Sequence, residues 1–103
     1  MPKFLFVYHG GSHEEAPEEM EKLLAQWGAW FEKMGAAVVD PGNPVQPSKT
    51  VFKTRIADDG GANPASGYGL FIAANMDAAI AMAKGCPILD AGGNVEVAEI
   101  IEL

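Results

Sequence analysis

The stretch FLFVYHGGSHEE, residues 4–15, brings Tyr8, His9, His13, Glu14 and Glu15 together around a pair of glycines. Imidazole titrates near neutral pH, so His9 or His13 could serve as a general acid or base. With Glu14 or Glu15 beside it, either ring could also bind a metal. The spacing argues against a metal. Gly10 and Gly11 separate the rings at a strand end, which removes the one-face geometry of a helical His-x-x-x-His. No third ligand accompanies them, whereas a catalytic zinc takes three from the protein. Gly10-Gly11 also lacks the remaining residues of a phosphate-binding loop, and glutamates crowd the helix start that a phosphate would approach. The stretch is therefore expected to be a strand end and helix entry, with Tyr8 and His9 pointing into a small cavity under the first helix.

Other residue types could do chemistry elsewhere. Trp27, Trp30 and Phe31 could stack on an aromatic ligand, although aromatic residues at helical spacing chiefly build a core. At most one of them is expected to lend an edge to a cleft. Asp40 could act as a carboxylate base. Pro41-Gly42 follows it, and Asp in that setting commonly bonds its own backbone to make a turn. Cys86 would need an activating base to be a nucleophile, and the sequence shows none, so a buried inert thiol is expected. Tyr8, His9, Trp27 and Asp40 are the candidate ligand-binding residues, and His9 and His13 the candidate catalytic ones. No cofactor is expected.

These residues need elements to hold them. FLFVY, residues 4–8, is apolar throughout, as in a strand buried on both faces. In PEEMEKLLAQWGAWFEKMG, Met20, Leu23, Leu24, Trp27, Trp30, Phe31 and Met34 fall at helical spacing. Pro17 suits the first turn, Glu18, Glu19 and Glu21 suit the helix dipole, and Gly35 suits the stop. AAVV, residues 36–39, predicts a short strand, which DPGNP then breaks. KTVFKTRIA, residues 49–57, predicts a partly exposed third strand, with Phe52 and Ile56 on one side and Lys53 and Arg55 on the other. A loop over 58–67 leads to the strand YGLFIAA, 68–74. Asn75 caps the helix MDAAIAMAK, Gly85 ends it, and VEVAEIIEL makes the last strand. Taking the second and third strands as one interrupted edge, the order is βαββαβ.

With 103 residues there is room for one domain, residues 1–103, and one modest core. The net charge is −7 and lysines and arginines form no cluster, which argues against nucleic acid and anionic membrane as partners. The opening apolar run is too short for a signal-peptide core or a membrane span, and the lone Cys86 fits a reducing, cytoplasmic setting. Right-handed crossovers put both helices on one sheet face. The opposite face is bare, yet it too is apolar. A second copy packing sheet against sheet would cover it, so a homodimer with a barrel-like core is expected.

The ordered set KFLFVYHGG, W-x-x-W-F-x-x-x-G (Trp27, Trp30, Phe31, Gly35), VVDPGNP, ADDGG before SGYGLFIAA, DAAIAMAKGCPIL and GGNVEVAEIIEL spans nearly the whole chain. It resembles the YCII-related proteins and their DGPF-type relatives, members of the dimeric α+β barrel superfamily. The resemblance implies an α+β, ferredoxin-like βαββαβ protomer: an antiparallel sheet with two helices on one face, paired into a dimeric barrel. It also implies, for some members, a His–Asp dyad in a cleft between sheet and helices. Leu24 stands at the place of that His, and Cys86, before Pro87, at that of the Asp. The dyad is therefore not carried over, and the DGPF motif survives only as Asp59-Gly60.

The expected function is a YCII-like homodimer of unassigned activity, with a small-molecule cleft between the sheet and the first helix. The rivals are a small-molecule enzyme using His9 or His13 as acid/base, and a structural or partner-binding dimer without catalysis.

Overall fold

The computed structural model describes residues 1–11 and 16–103. Its element order is β1 (Lys3–His9), α1 (Pro17–Met34), β2 (Val38–Asp40), β3 (Thr50–Val51), β4 (Ile56–Ala57), β5 (Ala65–Ile72), α2 (Met76–Ala83) and β6 (Asn94–Glu99). Short 3-10 turns at Gly35–Ala37 and Pro87–Leu89 follow the two helices.

The main sheet is antiparallel throughout, in the order β2-β5-β1-β6. β1 and β2 therefore run the same way, as do β5 and β6, and each of these pairs is joined through a helix. This is the ferredoxin-like α+β arrangement. Its two central strands, β1 and β5, carry the apolar runs FLFVY and LFI, as strands paired on both edges should.

Alternation along β1 sends Phe4, Phe6 and Tyr8 to the helix side, where all three are buried. They meet Phe71 of β5 and Trp30 of α1; Phe6 and Phe71 lie 4.3 Å apart and Trp30 and Phe71 5.5 Å. β5 makes room for these rings by carrying no side chain opposite two of them. Gly69 pairs with Phe6 and Gly67 with Tyr8. A Cβ at Gly69 would press on the Phe71 ring, and one at Gly67 on Tyr8. Ala79 and Ala83 of α2 complete the same core, and the Trp30 indole N–H donates to the Met82 carbonyl at 3.1 Å, tying the helices together. Both helices thus lie on one face.

The helix ends follow local chemistry. Pro17 opens α1 and Glu18 and Glu19 occupy its first turn, while the Gly35 N–H, at φ +55°, donates to the Phe31 carbonyl. At α2 the Asn75 side chain accepts from the Ala78 N–H at 2.9 Å.

One expected element differs. Residues 49–57 do not form a strand of the main sheet, nor do they continue β2. They fold back as the β3–β4 hairpin, a separate two-stranded ribbon. The Phe52 N–H donates to the Arg55 carbonyl at 2.8 Å, and the Arg55 guanidinium stacks 3.9 Å from the Phe52 ring. The alternation in KTVFKTRIA is real, but it spans a turn, so Phe52 and Arg55 meet across it instead of lying on opposite faces.

The far face of the sheet carries Leu5, Val7, Leu70 and Ile72, each half-buried, with Tyr68 more exposed among them. No helix among the described residues covers this side.

Candidate functional site

A cavity of about 450 Å³ opens between the helix-side face of the sheet and α1. That volume suits a small organic molecule. Tyr8 and Gly67 form its floor, Met20, Leu23, Leu24, Trp27 and Phe31 of α1 its roof, and Pro41–Pro44 and Ile88 its ends. The α1 stripe therefore has two jobs. Its C-terminal half reaches the core, where Trp30 is buried. Its N-terminal half overhangs the cavity, leaving Met20 39% and Leu24 63% exposed. Leu24, standing where the resemblance would put a histidine, is an apolar part of this wall.

Tyr8 holds its ring edge-on to Trp27 at 4.9 Å. Its hydroxyl is buried and has no hydrogen-bond partner among the described residues. Burial, with the Cys86 thiol as a lesser contributor, holds the phenol well above its ordinary range, so it stays protonated. Ser66, another residue of the wall, also buries its hydroxyl without a partner among the described residues. A bulge places it there: Tyr8 pairs with Gly67 and His9 with Ala65, leaving Ser66 as the extra residue. Bulges re-aim side chains in this way. No periodicity in the sequence points to Ser66, because the bulge exists only in the paired sheet.

The expected partnership of Tyr8 and His9 fails on strand geometry. Successive strand residues face opposite sides, and His9 is absent from the cavity wall. His9 is 6% exposed, and its ring bridges β6 and the residue before β5. Nε2 lies 2.9 Å from Glu96 Oε1 on β6, and Nδ1 lies 3.2 Å from the Pro64 carbonyl. Both partners are acceptors, so a neutral ring bonds one of them and an imidazolium both.

Asp40 is also outside the wall. Its Oδ1 accepts from the Gly42 N–H at 2.8 Å, which makes the turn at Pro41-Gly42. Gly42 sits at φ +71°, and a Cβ there would collide with the Tyr68 carbonyl. The turn residues, not the carboxylate, reach the cavity. Trp27 does line it, together with Phe31. His13 lies outside the described residues. Cys86 is buried, and desolvation pushes its thiol up to about 11, which leaves it protonated and unreactive at neutral pH.

Among the described residues, no three His, Cys, Asp or Glu side chains gather as a metal site would require. Nor is any helix among them long and apolar enough to cross a membrane.

No family model matches the chain, and no curated protein does. Among solved structures it is similar to the 5-chloro-2-hydroxyhydroquinone dehydrochlorinase of Burkholderia phenoliruptrix AC1100, in complex with 2,5-dihydroxybenzoquinone. The identity is 16% and the TM-score 0.56, over 96% of this chain and 95% of that one. The two share the α+β fold along their whole length.

Proposed function

We propose that this chain is a YCII-like, cytoplasmic homodimer that holds a small organic molecule between its sheet and α1, with no reaction assigned to it. The observation that carries this reading is the cavity itself: an apolar space of about 450 Å³ with Tyr8, Trp27 and Phe31 in its wall. Tyr8 and Trp27 are its proposed ligand-binding residues. A neighbour in fold is an enzyme captured with a small ring compound, which supports a ligand role for this architecture.

Surface area supports the dimer. A self-contained folded chain of this mass exposes about 5,600 Å². This one exposes 7189 Å². Its radius of gyration is 14.8 Å, against about 13 Å for a compact chain of similar length. Exposed apolar surface includes Tyr68 on the far face of the sheet, at 37%, and the β3–β4 hairpin, where Val51 and Ile56 are 76% and 63% exposed. A hairpin of this size is marginal alone. A second copy would cover both surfaces.

The rival reading is acid/base chemistry by His9 or His13, and for His9 the closed environment of its ring stands against it. Native mass spectrometry of the gently purified protein tests the proposal. A dimer mass carrying an organic adduct is the expected result. A clean monomer would overturn the dimer. A clean dimer that no small aromatic compound stabilises would overturn the ligand role and favour a structural dimer.

A further inference from the structure

We infer that the β3–β4 hairpin is a docking arm, whose tip seats on the outer edge of β6 and the residues after it in a second copy of this chain. This rests on the reading of the chain as a dimer and adds the parts that hold the two copies together.

The arm is braced at its stem and bare at its tip. Thr50 Oγ1 donates to the Asp59 carbonyl at 2.7 Å, Lys49 lies 2.9 Å from Asp58, and a Cβ at Gly60 would meet Ser48 and Pro64. Val51 and Ile56 stand opposite each other, so their side chains share one face of the ribbon, and Phe52 next to them is stacked with Arg55. All three apolar side chains are exposed. A preordered surface of this kind loses little freedom when a partner covers it.

The stem is tied to the far face of the sheet. His9 points there with Leu5 and Val7 by alternation, and its Nδ1 lies 3.2 Å from the carbonyl of Pro64, just before β5. The arm therefore stands beside a second copy packed on that face. The area agrees, since the chain exposes 7189 Å² where a compact one of its mass exposes about 5,600 Å². The difference is of the order that one protomer of a permanent homodimer buries.

Charge decides the seat. Residues 49–57 hold three of the seven lysines and arginines and none of the 14 acidic residues. Lys49 has Asp58, but no carboxylate among the described residues pairs with Lys53 or Arg55. The tip is thus apolar and cationic in a chain that is otherwise strongly acidic. Its complement is apolar and acidic and within reach of a copy on the far face. β6 is the outer strand of the sheet, so one of its edges is unpaired among the described residues. Glu99 ends it, and the Ile100 N–H donates to the Lys3 carbonyl at 2.9 Å. Ile101, Glu102 and Leu103 follow, all exposed. The first turn of α1 is acidic too, with Glu18 and Glu19, but α1 lies on the opposite face of the sheet. A two-fold axis makes the contact reciprocal, so each copy gives one arm and receives one.

Charge reversal in the full chain tests the arm, with dimer dissociation followed by sedimentation across a dilution series. Lys53→Glu with Arg55→Glu is expected to weaken the dimer at least about tenfold. Glu99→Lys with Glu102→Lys is expected to do the same, although it brings the net charge closer to zero. All four together are expected to return to within about threefold of the native dimer. Lys53→Glu and Arg55→Glu combined with Glu18→Lys and Glu19→Lys has the same net charge and is expected to stay weak. A mixed-isotope NMR sample of the unaltered chain gives a second readout: methyl NOEs from Val51 or Ile56 of one copy to Ile101 or Leu103 of the other. A native dimer that ignores both reversals, or that shows no such NOE, overturns the arm and leaves the dimer to the sheet face. Recovery by the α1 pair overturns the β6 seat. A native chain that is monomeric removes the dimer reading and the inference together.

Discussion

Tyr8 and His9 are adjacent in the chain and serve opposite sides of the sheet. The Tyr8 ring enters the aromatic core and the wall of the cavity, 4.9 Å from Trp27. The His9 ring is instead held between Glu96 and Pro64. One residue of offset along β1 thus separates the ligand site from an interstrand clasp.

Tyr8→Phe tests the unpartnered hydroxyl. Removing it keeps the ring packing and deletes a buried polar atom that none of the described residues bonds. The ligand-free protein is expected to gain about 1 kcal/mol, a rise of a few degrees in melting temperature by calorimetry. A fall in melting temperature would mean that the hydroxyl is satisfied after all.

His9→Ala tests the clasp. The buried ring bonds to β6 and to the segment leading into β5. Because Glu96 is largely exposed, little is expected from the ion pair itself. Loss of the buried bonds and of the ring's packing should cost about 1–3 kcal/mol in urea unfolding. Affinity for toluene, a small aromatic probe of the cavity, should stay within about twofold, since the ring is on the other side of the sheet. A selective loss of ligand affinity or turnover in a variant that remains folded would bring back the acid/base reading.

Cys86 sets a pH signature. Its thiol is raised in the native state to about 11 by burial, above its ordinary value. A raised acid contributes stability that is fully present below the unfolded value, near 9, and lost as pH climbs towards 11. Tyr8 is shifted the same way and adds to the loss above pH 10. Denaturant titrations from pH 8 to 11 should show stability falling, and Cys86→Ala should flatten the lower part of that fall. At pH 8 a thiol reagent should modify Cys86 only as fast as the chain opens. Rapid labelling of the native protein would contradict its burial.

Leu70→Glu tests the second copy. Leu70 sits mid-sheet on the uncovered face, paired with Leu5. A charge there is tolerable on a wet surface and not at a buried interface. The variant is expected to run as a monomer by light scattering while the native chain runs as a dimer. Equal masses for the two would remove this face from the interface.

Gly42→Ala tests the turn at the cavity's end. The position needs φ +71° and has no space for a Cβ beneath the Tyr68 carbonyl. A loss of about 2 kcal/mol or more is expected. A neutral effect would show that the Pro41–Pro44 segment can shift without consequence.

Much of the fold was legible in the residues, because local rules decide it. The apolar runs of β1 and β5, the 3.6-residue stripe of α1, Pro17, Gly35 and Asn75 each act within a few residues of themselves, and together they dictate the βαββαβ order and an apolar second sheet face. The site was less legible. Tyr8 could be singled out beside a glycine turn and Trp27 in the aromatic stripe of α1, but their meeting depends on how α1 crosses β1. Residues 49–57 alternate like a strand, yet whether such a stretch joins a sheet or turns back on itself depends on which edge is free to receive it. Alternation along β1 already sets His9 on the face opposite Tyr8; what the residues alone did not give is the clasp of His9 to Glu96 and Pro64, which exists only once β6 and β5 pair with β1. The bulge in the β1–β5 pairing delivers Ser66 to the cavity wall. Alternation along one strand is a property of the chain; which face meets a helix, and which side chain a bulge turns inward, are properties of strands already assembled.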